Sequence, residues 1–138
     1  MIASMIAPCG MNCHICIGHL REKNQCAGCN ENRKKQVEYR SRCTITNCEK
    51  LAATESGFCY DCPTYPCARL KQLDTRYRTN YGMSMLENLA FIRDEGMDAF
   101  LAHEDKRWTC KHCGAKLSVH RKVCLQCGKE RSYQNYEL

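Results

Sequence analysis

Sulfur ligands are the residues of this chain best placed to do chemistry. Ten of its 14 cysteines fall into five C-x2-C pairs: Cys13 with Cys16, Cys26 with Cys29, Cys59 with Cys62, Cys110 with Cys113, and Cys124 with Cys127. Such a pair brings two thiolates to one side of a tight turn, which suits tetrahedral zinc or iron. An even count would also allow seven disulfides. The opening residues argue otherwise: they are apolar but lack the basic stretch and length of a signal peptide, so the expected location is the reducing cytoplasm, where structural disulfides are rare. Metal ligation is therefore the expectation, with about three zinc ions per chain.

The last two pairs are the simplest to assign. Cys110 and Cys113, then Cys124 and Cys127, stand ten residues apart, and Gly114 and Gly128 follow the second cysteine of each pair. This is the pattern of a rubredoxin-like zinc ribbon. Upstream, Cys13, Cys16, Cys26 and Cys29 form another doubled pair. Cys48, Cys59, Cys62 and Cys67 make a plausible further site, with Cys43 as a competitor. Cys9 and Cys43 then remain. They either complete an additional site with His14 and His19, or they are free thiols beside surface histidines. His103, His112 and His120 are expected to face solvent.

Two other chemistries use the same residue types. Clustered cysteines also hold iron–sulfur centres, which makes a redox role the alternative to zinc. Cys9, Cys13 and Cys16 have the spacing of the radical-SAM cluster motif, but the chain is too short and strand-poor for the barrel of that class. No H-E-x-x-H, deaminase pattern, phosphate loop, dinucleotide fingerprint or G-x-S-x-G is present. A non-enzymatic binding or accessory role is the expectation.

The elements that must position these ligands are short. Without cysteine only about a third of the residues are hydrophobic, too few for an ordinary core, so metals must help hold the fold. Three units are expected: a cysteine-rich metal-binding module over 1–68, a helical segment over 69–105 and the ribbon over 106–138. The fold class is small α+β and metal-stabilised, with zinc knuckles, short helices and a C-terminal ribbon. Two helical turns are expected over 14–21. A helix over 66–77 would place Leu70, Leu73 and Tyr77 on one face. Ser84 and Glu87 form a capping box for a helix over 85–95 that buries Met85, Leu89 and Ile92 and stops at Gly96. A short helix over 98–103 and ribbon strands over 116–120 and 121–123 complete the reading.

The formal charge of +6 overstates the basicity, because each zinc on four thiolates adds a net −2. The basic residues concentrate in the ribbon, where eight Lys and Arg over 106–131 face Glu130 alone. Lys106, Arg107, Lys111, Lys116, Arg121 and Lys122 would form a face for nucleic acid or an acidic protein, with Trp108, Tyr133 and Tyr136 available to stack on bases. No apolar run approaches the ~20 residues needed to cross a bilayer, so no membrane partner is expected.

Cys9-Gly10-Met11-Asn12-Cys13-His14-Ile15-Cys16, Cys26-Ala27-Gly28-Cys29, the Cys43 to Cys48 step and Cys59-Tyr60-Asp61-Cys62-Pro63-Thr64-Tyr65-Pro66-Cys67 together resemble a cysteine-rich prokaryotic family of unknown function. That family is frequent in anaerobic bacteria and methanogenic archaea. Its members open with C-G-x-x-C-x-x-C and close with C-x-x-C-x-x-[FY]-P-C before a Leu-bearing helix. Longer members are similar to this chain through the Tyr81-Gly82-Met83-Ser84-Met85 segment and a terminal ribbon opened by Trp108, so the resemblance runs from about Pro8 to Gly128. Lys111-His112 departs from it, standing where proline is expected. The resemblance implies a metal-binding cytoplasmic protein and carries no activity.

Overall fold

The computed structural model describes residues 1–31 and 43–131. Tyr133 and Tyr136 lie outside the described residues. In chain order the helices described are α1 (Ile17–Leu20), α2 (Glu49–Ala52), α3 (Ala68–Tyr81), α4 (Met85–Glu95) and α5 (Met97–Arg107), with 3₁₀ turns at Ala3–Met5, Cys13–Ile15 and Cys59–Asp61.

Local capping explains the long helices. Ser84 Oγ accepts the Glu87 amide at 3.1 Å and opens α4 where its sequence predicts. Gly96, at φ 89°, ends α4 and leads directly into α5, which continues four residues past the expected 103. α3 starts two residues later than expected, at Ala68, and runs to Tyr81, where Gly82 takes the left-handed conformation at φ 65°. Asp74, on the inner face of α3, is held there by three donors: Ser84 Oγ at 2.6 Å, the Leu86 amide at 3.0 Å and Arg78 Nε at 2.7 Å. The loop between α3 and α4 is thereby fastened to the helix before it.

The core runs through all three segments of the chain. Ala7, Met11 and Ile15 from the N-terminal loops pack with Leu70 and Tyr77 of α3, Met85 and Leu89 of α4, and Trp108, Leu117 and Val119. A smaller cluster joins Ile6, Ile92 and Phe100. Met85, Leu89 and Ile92 are buried as the helical periodicity requires, and Leu73 is half-buried against the core.

Gly10 shows how closely α4 seats on the cysteine loops. Its φ is 90°, and a Cβ there would stand 2.8 Å from the Met85 carbonyl oxygen. Its own carbonyl accepts Asn88 Nδ2 at 2.9 Å. Gly10→Ala combines left-handed strain with a backbone clash, so an unfolding free energy lower by roughly 2 kcal/mol is expected in urea denaturation.

The C-terminal segment differs from expectation. Among the described residues it contains no extended strand, only isolated antiparallel bridges pairing Thr109 with Lys116 and Val123 with Glu130. The reason lies in where residues 118–120 find partners. Ser118 Oγ and the Val119 amide both donate to the Ile15 carbonyl, at 3.1 and 2.9 Å, and His120 Nδ1 accepts the Ile17 amide at 3.2 Å. The described structure is thus mostly helical with little strand, and residues 118–120, between the two cysteine turns, dock on the N-terminal loops.

Candidate metal centre

Each C-terminal cysteine pair closes a turn of the same design. The Cys110 amide donates to the Ala115 carbonyl at 2.8 Å and the Gly114 amide returns to the Cys110 carbonyl at 2.9 Å. In the second turn the Cys124 amide donates to Lys129 at 2.8 Å and Gly128 to Cys124 at 3.0 Å. Gly114 and Gly128, at φ 77° and 73°, supply the left-handed residue that reverses each chain. The two turns face each other. Cys110 Sγ lies 3.7 Å from Cys127 Sγ, and Cys113 Sγ 3.6 Å from Cys124 Sγ.

All four sulfurs lie within 4.8 Å of one another. A tetrahedron with metal–sulfur bonds of about 2.3 Å has edges of about 3.8 Å, so the set fits one tetrahedral ion. The electrostatics agree. Backbone amides of Cys113 and His112 hold the Cys110 thiol below its ordinary value. Those of Cys127 and Gln126 lower Cys124 to about 6. At Cys113 the Ala115 amide acts downward, but burial and contact with the other three thiols push it up to about 12. Two thiolates are favoured by the turns themselves; complete ionisation needs a cation among them.

The N-terminal cysteines are arranged differently. Cys9, Cys13, Cys16, Cys26 and Cys29 are all buried. The Cys29 amide donates to Cys13 Sγ at 3.4 Å, and contact with the Cys29 thiol lowers Cys13. Burial, partly opposed by the Met11 amide, pushes Cys9 up to about 12, with Cys29 and Cys43 adding to the rise. Cys48, Cys59, Cys62 and Cys67 line one cavity of about 520 Å³. Burial, reinforced by Cys9, Cys67, Cys48 and Cys62, also raises Cys59 to about 12. Among the described residues, the C-terminal four are the set whose ligand atoms converge within 4.8 Å.

His14 and His19 differ in what they leave for a metal. His14 Nδ1 donates to Asn12 Oδ1 at 2.8 Å while its Nε2 accepts the Ile2 amide at 3.2 Å, so both ring nitrogens are engaged. His19 Nδ1 donates to the Cys26 carbonyl at 2.8 Å, leaving Nε2 as its ligand atom. His120 is not a solvent-facing residue. It sits edge-on to Tyr77 and Tyr81, and its Nε2 bonds the Tyr77 hydroxyl at 2.9 Å. His103 is exposed and stacks on Phe91.

Trp108 also departs from expectation. It is 1% exposed, so its ring cannot stack on a base. The Cζ atoms of Arg107 and Arg131 each stand 4.9 Å from its ring centroid, which takes two of the eight cations out of any basic face. Lys116 pairs with Asp105 at 2.7 Å. Lys106, Lys111, Arg121, Lys122 and Lys129 remain exposed. Glu104, fully buried, accepts Trp108 Nε1 at 3.0 Å and Asn12 Nδ2 at 3.4 Å. No sequence motif announced this carboxylate; its i, i+4 spacing from the sole tryptophan was the available signal.

The Cys9-Gly10 turn, the buried thiols and the cysteine leading into α3 all fall in one stretch, and a comparison with known families selects the same stretch. Residues 5–72 match DUF3795, a protein of unknown function. The DUF3795 match ends within α3, so it covers the N-terminal cysteines and not the C-terminal four. No curated protein and no solved structure gives a significant match. No helix among the described residues is long and apolar enough to cross a membrane.

Proposed function

We propose that this protein is a zinc-organised binding module of the cytoplasm, with a C-terminal ribbon whose Cys110, Cys113, Cys124 and Cys127 hold one Zn²⁺. The convergence of four sulfurs within 4.8 Å carries the reading. Zinc suits a closed all-thiolate site, which leaves no position for substrate and so favours a structural ion. Cys13, Cys16, Cys26 and Cys29, all buried, are the candidate ligands of a second zinc, whose binding would have to draw their sulfurs together. The working surface is then the exposed cations, Lys106, Lys111, Arg121, Lys122 and Lys129, which suit a polyanionic partner such as nucleic acid or an acidic protein.

Two measurements test this. Elemental analysis of the full chain should find zinc, and acidification should release it as protons compete for the thiolates. Binding to a single-stranded DNA oligonucleotide should weaken with salt. With the five exposed cations as contacts, the slope of log affinity against log salt should be on the order of −3 to −4. Lys111→Glu with Lys122→Glu should abolish that binding. A flat salt response removes nucleic acid as the partner.

A further inference from the structure

The C-terminal four cysteines and the cavity cysteines answer different geometrical demands. A doubled knuckle closes a tetrahedron because two C-x2-C turns face each other. Cys48, Cys59, Cys62 and Cys67 contain one such turn only. Cys59 opens a 3₁₀ turn and Cys62 follows it, while Cys48 immediately precedes α2 and Cys67 immediately precedes α3. Three separate elements therefore bring sulfur to the cavity from three sides. The sulfurs stand around a space of about 520 Å³ rather than converging within 4.8 Å. That space is far larger than a single ion fills.

We infer that Cys48, Cys59, Cys62 and Cys67 hold a [4Fe–4S] cluster in this cavity. A cubane carries iron at four corners, so its thiolates must stand further apart than the ligands of one zinc. The surroundings suit its charge. Four thiolates on a [4Fe–4S]²⁺ core leave a net −2, and Lys50 and Arg69 line the same cavity. Thr64 Oγ1 lies 3.3 Å from Cys62 Sγ, and its hydroxyl can donate to the bound thiolate. Ile45, Leu51, Tyr65 and Leu70 form the apolar side of the cavity. Cys67 is exposed, so the cluster has one face open to water. On binding, each thiol gives its proton to solvent as its Fe–S bond forms.

The test uses the full chain under anaerobic conditions, reconstituted with ferric iron, sulfide and a thiol reductant that supplies the electrons to bring two of the four irons to ferrous. A brown protein with about four iron and four acid-labile sulfide per chain is expected. Cys62→Ala and Cys67→Ala, at half-buried and exposed positions outside the core, should lose the visible band and the sulfide while keeping wild-type helix content and zinc. A colourless protein, zinc lost with Cys62→Ala, or a band that survives both substitutions overturns the assignment. The ribbon reading is scored separately by the zinc that Cys124→Ser removes.

Discussion

Cys124→Ser should cost the protein one zinc and the order of its C-terminal turns while α4 stays folded. A structural zinc on thiolates contributes on the order of 10 kcal/mol to the element it closes, more than the few side chains of these turns can replace. Cys124 is itself 1% exposed in the main core, so the substitution also puts a hydroxyl where a sulfur packs. The effect reaches the sole tryptophan through Arg131, which covers the Trp108 ring and bonds the Val119 and Tyr81 carbonyls. A red-shifted Trp108 emission should accompany the loss of zinc. α4 is fastened by Asp74 through Ser84 and Leu86 and by Asn88 on Gly10, none of which belongs to the turns. Helical circular dichroism should therefore persist. Unchanged zinc content in this variant would sink the ligand assignment.

Glu104→Ala should lower the unfolding free energy by about 3 kcal/mol, because it removes the acceptor of the buried Trp108 Nε1, leaves Asn12 Nδ2 with only the Met1 sulfur, and opens a cavity between them. Asn12 cannot turn to help, since its Oδ1 already accepts from the His14 amide and ring. The carboxyl is also a pH-dependent element. Burial raises it above the ordinary 4.5, against the pull of Arg107, Asn12 and Trp108. The folded state therefore holds this proton more tightly than the unfolded chain. The stability it contributes is fully present below pH 4.5 and declines as pH rises through the folded value. Glu104→Gln cannot ionise. Denaturation of wild type and Glu104→Gln at matched zinc, from pH 4.5 up to about 8, should show the wild-type advantage shrinking with pH. A constant difference would mean that the carboxyl does not titrate differently on folding.

Local signals carried well from sequence to structure, and long-range ones did not. Ser84, Glu87 and Gly96 set the ends of α4 through bonds spanning three or four residues, so the helix could be read from those letters. The two C-x2-C-G turns were equally legible, because each closes on itself through its own amides. Trp108 and His120 were not. His120 is placed by Ile17, Tyr77 and Tyr81, up to about a hundred residues away, and Trp108 is buried in a core that includes Ala7, Met11 and Ile15 from the far end of the chain. The expected strands failed for the same reason: the polar groups of Ser118 and Val119 found Ile15 rather than each other. In the N-terminal module the spacing named the cysteines that share a cavity, Cys48, Cys59, Cys62 and Cys67, without revealing how widely they stand apart.

The Ile15 carbonyl sits between Cys13 and Cys16 in the chain and takes both donors offered by Ser118 and Val119. One peptide unit is thus shared by a loop carrying two thiols and by the segment joining the C-terminal turns. If both ends hold ions as proposed, any coupling through that unit is reciprocal by linkage: where filling the C-terminal four steadies the Cys13 to Cys16 loop, filling the loop strengthens retention of the C-terminal ion by the same factor. Stepwise chelation would then release the ions as an interdependent set, with a steeper curve than independent sites give.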